Sequence, residues 1–81
     1  MRYADSRCKI TEIYNPHRYV VTGEDVFTNT TVRVYIPAQE LFAYRAGAMI
    51  QDAMPSLNDR QREFLISGMY DSFPGSEPGI I

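Results

Sequence analysis

Few side chains in this sequence have the types and spacing for chemistry. Cys8 is the only thiol, His17 the only imidazole, and Glu24–Asp25 an adjacent carboxylate pair. A thiol nucleophile needs a base within hydrogen-bond reach, and none neighbours Cys8 along the chain. Set in a β-rich stretch, Cys8 reads as a buried strand thiol. His17 follows Pro16 in a turn and reads as an exposed loop residue. Glu24 and Asp25 would point to opposite faces of a regular strand. They therefore mark a bulge or loop rather than an acid/base pair or a cation site. One Cys and one His cannot close a four-ligand zinc site without carboxylates. No GxxxxGK[ST], HExxH or GxSxG pattern occurs. The expectation is a non-enzyme with no cofactor and no metal. A catalyst would require Cys8, His17 and a carboxylate to converge in one cleft.

What remains is chemistry of contact. Seven of the eight basic residues are arginine, Lys9 is the exception, and there are six tyrosines and no tryptophan. Arg and Tyr are enriched at protein interfaces, since both cover much area and form directed hydrogen bonds. Composition bias alone gives the same counts. Arg33 and Tyr35, with Tyr44 and Arg45, could form a patch that binds protein or stacks on single-stranded nucleic acid. Arg45 also suits a helix C-terminus, where a cation meets the negative end of the dipole. Gln51–Asp52 is a polar pair inside an apolar helical turn. It faces out or sideways, to contact a partner, cap the next helix or pair with an arginine. Arg60 lies three residues before Glu63, so an ion pair between them is expected; Arg62 and Glu63 could equally form part of a partner surface.

With 81 residues the chain has room for one small domain. A domain of this size buries roughly 60–65% of its unfolded surface, which leaves a marginal core. A lone cysteine forms no internal disulfide, so a partner or a homo-oligomer is the expected added source of stability. The net charge of −2 argues against duplex DNA as the main ligand. No apolar run approaches the roughly 20 residues that span a bilayer, and the start MRYADSRCK has no apolar h-region. The unpaired cysteine makes a cytoplasmic setting the default.

The elements that position these residues follow from periodicity. Met1 to Arg7 is polar and expected to fray. Cys8 to Tyr14 is a strand, with Cys8, Ile10 and Glu12 on one face and Ile13 on the other. Asn15-Pro16-His17-Arg18 is a turn. Tyr19 to Gly23 starts a second strand, with a bulge or bend at Gly23, and Val26-Phe27-Thr28 resumes it. Asn29-Thr30 is a hairpin turn. Thr31 to Ile36 alternates cleanly, Val32, Val34 and Ile36 facing inward. Pro37 ends the sheet and suits the first helical position. Ala38, Leu41, Phe42 and Arg45 share a helical face that Gly47 stops. Met49, Ile50, Ala53 and Met54 form a second apolar stripe closed by Pro55. Asn58 and Gln61 make a capping box for a third helix, whose buried stripe is Phe64, Leu65 and Met69 and whose stop is Gly68. The expected fold is α+β: an antiparallel sheet of two to three strands, then two to three short helices on one face. The domain is expected over 1–71, with a Pro-Gly-rich flexible tail at 72–81.

The segments Leu41-Phe42-Ala43-Tyr44-Arg45-Ala46-Gly47, Ile50-Gln51-Asp52-Ala53-Met54-Pro55 and Arg62-Glu63-Phe64-Leu65-Ile66-Ser67-Gly68 carry a resemblance. They are similar to a group of small phage and prophage proteins of unassigned function. The likeness covers about half of the chain. Many members of that group continue after the Ser-Gly with a Cys-x-x-Cys pair, where this chain has Met69-Tyr70-Asp71-Ser72-Phe73. No metal or redox role is implied at that position. The resemblance implies a phage or mobile-element setting in a host cell and brings no activity with it; small accessory phage proteins often act by binding a macromolecule. A protein is the expected partner, with host and defence proteins among the targets of such accessory proteins, and nucleic acid is the alternative.

Overall fold

Two valine-rich strands and a polar one set the architecture. In the computed structural model, which describes residues 1–72, β1 spans Lys9–Ile13, β2 Arg18–Glu24 and β3 Thr31–Pro37. They form one antiparallel sheet in the order β1-β2-β3. The register runs from Lys9↔Thr22 to Ile13↔Arg18 and from Arg18↔Pro37 to Glu24↔Thr31. Successive strand side chains alternate faces, so this register gives each face a defined membership. Val21, Val32, Val34 and Ile36 lie on the face that joins the core with Leu41, Met54, Phe64 and Leu65. Each such side chain, fully buried, contributes about 1.5–3 kcal/mol. The opposite face carries Lys9, Thr11, Arg18, Thr22, Arg33 and Tyr35. The α+β expectation holds: a three-stranded antiparallel sheet with helices packed against it.

The helices after the sheet are α2 (Ala38–Arg45), the single-turn α3 (Ile50–Ala53) and α4 (Asp59–Ser67). Pro37 is the N-cap of α2 rather than its first residue. The capping box of α4 forms as read: Asn58 accepts from the Gln61 N–H at 2.8 Å, and Gln61 accepts from the Asn58 N–H at 2.9 Å. Gly68 ends α4 in the left-handed conformation at φ 85°. Pro55 follows Met54, which closes α3 and is fully buried.

Several expectations need correction. Met1 to Arg7 does not fray; Arg2–Arg7 forms a further helix, α1. No side chain caps it, so its order comes from tertiary contacts that local propensity does not encode. Met1 and Ala4 are buried, the Met1 amine donates to the Tyr44 hydroxyl at 3.0 Å, and Tyr3 packs edge-on to Phe64. Gly23 is no bulge, since the register passes through it unbroken. It admits the Cys8 side chain, which a Cβ at that position would strike. Val26-Phe27-Thr28 is turn rather than strand, because Asp25 captures its N–H groups. Met49 is exposed, lying outside the single turn of α3, and Phe42 leaves the core side of α2 for its rim. Met69 is half-buried rather than part of the core. Of the expected tail, Ser72 docks on Asp25; residues 73–81 lie outside the described residues.

Candidate functional site

The β1–β2 hairpin brings an acid, an imidazole and two tyrosine rings to one corner of the sheet. Asn15 sits at φ 63°, which turns the chain back so that Glu12 faces Tyr19 across the hairpin. Tyr14 is two residues beyond Glu12 and rises on the same side. Glu12 Oε2 meets His17 Nε2 at 2.6 Å and accepts from the Tyr19 hydroxyl at 3.2 Å. The Tyr14 ring stacks on His17 with centroids 4.8 Å apart and planes 12° from parallel. Phe42, from α2, completes the corner edge-on to both His17 and Tyr19, at 6.0 and 6.1 Å. Hydrogen bonding from Tyr14 foremost, and from His17 and Tyr19, lowers the Glu12 pKa. The same carboxylate raises the Tyr14 pKa, mainly through their hydrogen bond. Burial, then the charge of Glu12, raises that of Tyr19.

These rings are held yet open. Tyr14 keeps 62% of its surface in solvent and Phe42 keeps 50%. Hydrogen bonds and stacking reduce the rotamer freedom such side chains would lose on binding, which lowers the entropic cost of association. Chemically the corner can offer aromatic area, a carboxylate acceptor and an imidazole. His17 is exposed, as read from the sequence. Cys8 lies beyond the far end of β1, roughly 15–20 Å away at the rise of an extended strand. Burial pushes the Cys8 thiol pKa up, which favours its neutral form. Cys8 and His17 therefore do not converge. Among the described residues no group of three or more His, Cys, Asp or Glu side chains is placed to hold a metal.

The residues expected to form an Arg/Tyr patch are divided by the sheet. Arg33 and Tyr35 stand on the face away from the helices, where Arg18 packs over the Tyr35 ring at 5.9 Å. Tyr44 packs on the core from the other side, and Arg45 pairs with Asp5 of α1 at 3.7 Å. Strand alternation explains the split: odd residues of β3 face away from the layer that α2 joins.

Arg60 and Glu63 do not pair. Arg60 donates through Nε to the Tyr70 carbonyl at 2.9 Å, lies 4.5 Å over the Tyr70 ring, and reaches Asp71 at 3.7 Å. Glu63 instead accepts from the Ser67 hydroxyl at 2.6 Å. Arg62 turns inward to the Met54 carbonyl at 2.9 Å, also donates to the Leu57 carbonyl at 2.5 Å, and pairs with Asp59 at 2.7 Å. It thereby closes the α3–α4 connection. Gln51 and Asp52 are exposed on α3, and Asn58 rather than Asp52 caps α4. Gln51 and Arg62 line one shallow cleft of about 310 Å³, with Ile50, Asp59, Glu63 and Ile66.

Asp25 is the charged residue whose role the sequence reading missed. Fully buried at 0% exposure, it accepts from the N–H groups of Phe27 and Thr28 on Oδ1, at 2.8 and 2.9 Å. Its Oδ2 accepts from the N–H groups of Tyr70 and Ser72, at 2.7 and 3.1 Å, and the Ser72 hydroxyl reaches both oxygens. Burial alone would raise its pKa. The hydrogen bonds from Tyr70, Thr28, Phe27 and Ser72 outweigh that and hold it far below the ordinary carboxylate range. This carboxylate is a structural clip between the β2–β3 turn and the chain after α4. Its only sequence signal is an Asp placed two residues before a turn N–H. The corner residues Glu12, Tyr14, Tyr19 and Phe42 were missed as a group too. Counting the hairpin register from the Asn-Pro turn would have placed Glu12 opposite Tyr19.

No protein-family model matches the chain, and neither curated proteins nor solved structures yield a similar sequence or fold.

Proposed function

We propose that this is a small accessory protein that acts by binding another protein, with the Tyr14–His17–Phe42 corner as its anchor. One observation carries the reading: two aromatic side chains at least half exposed are held in place by the network around Glu12. Aromatic anchors with restricted rotamers are the side chains most often dominant in protein interfaces. The resemblance of its second half to small phage proteins fits an accessory protein working in a host cell's cytoplasm, directed at a host or defence protein. The separation of Cys8 from His17 supports a binder over a catalyst. Affinity capture from host lysate tests the reading with paired baits, the natural chain and a Tyr14→Ala/Phe42→Ala variant of unchanged circular dichroism. A stoichiometric protein retained by the first and lost by the second is expected. Equal capture by both, or recovery of nucleic acid alone, defeats the proposal.

A second reading draws on the open sheet face. Lys9, Thr22 and Arg33 form a cross-strand row there, with Arg18 and Tyr35 beside it. That arrangement suits single-stranded nucleic acid, with phosphate on the cations and a base on Tyr35. It requires an affinity that falls with salt and falls again in Arg33→Ala. An affinity unchanged by salt rejects it.

A further inference from the structure

The phase of the sheet's hydrogen bonds determines what the outer edge of β3 offers. Two bonds flank the β2–β3 ladder in its own register: Asp25 N–H to the Thr30 carbonyl at 2.9 Å, and Ala38 N–H to the His17 carbonyl at 3.2 Å. Hydrogen-bonded and non-bonded pairs alternate along an antiparallel ladder. The bonded pairs are therefore Tyr19–Ile36, Val21–Val34 and Gly23–Val32. Thr31, Arg33, Tyr35 and Pro37 turn their backbone polar groups away from β2, to the edge. Among the described residues, no hydrogen bond satisfies the N–H of Thr31, Arg33 or Tyr35 there. Such an edge is a template for another strand.

From this geometry we infer that β3 pairs with β3 of a second copy, antiparallel about a two-fold axis at Val34, to make a continuous six-stranded sheet. The edge is self-complementary in that register. Arg33 and Tyr35 of one copy face Tyr35 and Arg33 of the other and exchange both backbone bonds, and each Thr31 N–H meets a Pro37 carbonyl. Every outward N–H finds an acceptor, and Pro37, which has no N–H, falls where only its carbonyl is needed. Side-chain charge agrees, because each arginine lies beside a tyrosine of the other copy, where cation–π contact is available. Centring the pairing on Arg33 would instead set two arginines opposite each other, which is unfavourable. The β1 edge is the poorer candidate. Its outward residues, alternating with Lys9, Thr11 and Ile13, are Ile10 and Glu12, and α1 packs beside it. This interface lies at the β3 edge, so it stands or falls independently of the aromatic corner.

Sedimentation equilibrium of the full chain over a concentration series is the test, with amide hydrogen exchange at both ends of the series. A dimer of twice the 9.3 kDa chain mass is expected. The N–H groups of Thr31, Arg33 and Tyr35 should exchange slowly when concentrated and fast when dilute, while those of Val32, Val34 and Ile36 stay protected throughout. Tyr35→Arg puts like charges together twice by symmetry and should weaken the dimer at least tenfold. Adding Arg33→Glu should restore it by opposing Glu to Arg. A chain that is monomeric up to about 1 mM overturns the inference. So does a dimer in which the three edge amides exchange equally fast at both concentrations, whether it forms elsewhere or the edge serves a strand of another protein.

Discussion

Replacing Asp25 by Asn should unfold this protein at a markedly lower temperature, although the two side chains have nearly the same shape. The carboxylate takes two backbone N–H groups on Oδ1 and two on Oδ2, with the Ser72 hydroxyl bridging. Asn has one acceptor oxygen. With that oxygen toward Phe27 and Thr28, its amide nitrogen confronts the N–H groups of Tyr70 and Ser72, donor against donor. Two charge-assisted bonds are lost and two partly buried donors are left facing a third. At the usual cost of such defects the loss is about 2–4 kcal/mol. A domain of this length has only about 4–12 kcal/mol of stability in total. The shift in Tm is then on the order of 10–25 °C. Urea unfolding at pH 7 measures the loss, and amide exchange places it, with the Tyr70 and Ser72 amides losing most protection. The pH dependence supplies a second check. The folded-state pKa of Asp25 is depressed, so its contribution is complete above the unfolded-state value near 3.9 and is lost as pH falls through the folded-state value. The gap between the natural chain and Asp25→Asn should stay constant from pH 6 to 8 and narrow below about pH 4. A Tm change under 3 °C, or a gap that widens on acidification, would refute the assignment of Asp25 as the clip.

Gly23→Ala should destabilise strongly, because the new Cβ meets the Cys8 sulfur; pairing it with Cys8→Ala should recover much of the loss, and urea midpoints of the double-mutant cycle measure that coupling. Asn58→Ala removes the acceptor for the Gln61 N–H and should cost about 1 kcal/mol, readable as a lower thermal midpoint with unchanged secondary structure by circular dichroism.

The outline of the fold was legible because it is written in local periodicity. The alternation of Val32, Val34 and Ile36 defined β3 and its buried face, and Asn58 with Gln61 marked the start of α4 to the residue. Those signals act over two to four residues, the distance at which backbone geometry constrains neighbours. Several of the errors concerned a contact over a longer separation. The first helix exists because Met1 finds Tyr44 and Tyr3 finds Phe64, more than 40 residues away. Gly23 is small for the sake of Cys8 rather than for a bulge, and Asp25 is charged for Tyr70 and Ser72.

The candidate site divides in the same way. From the sequence alone came the inventory of exposed arginines and tyrosines, the exposure of His17, and the outward faces of Arg33, Tyr35, Gln51 and Asp52. Tertiary structure decided which of them meet. It separated Arg33 and Tyr35 from Tyr44 and Arg45 by the thickness of the sheet, and turned Arg62 inward to carbonyls. It also gathered Glu12, Tyr14, His17, Tyr19 and Phe42 from two strands, a turn and a helix. Periodicity assigns a side chain to a face, whereas only the packing of one element on another brings two faces together.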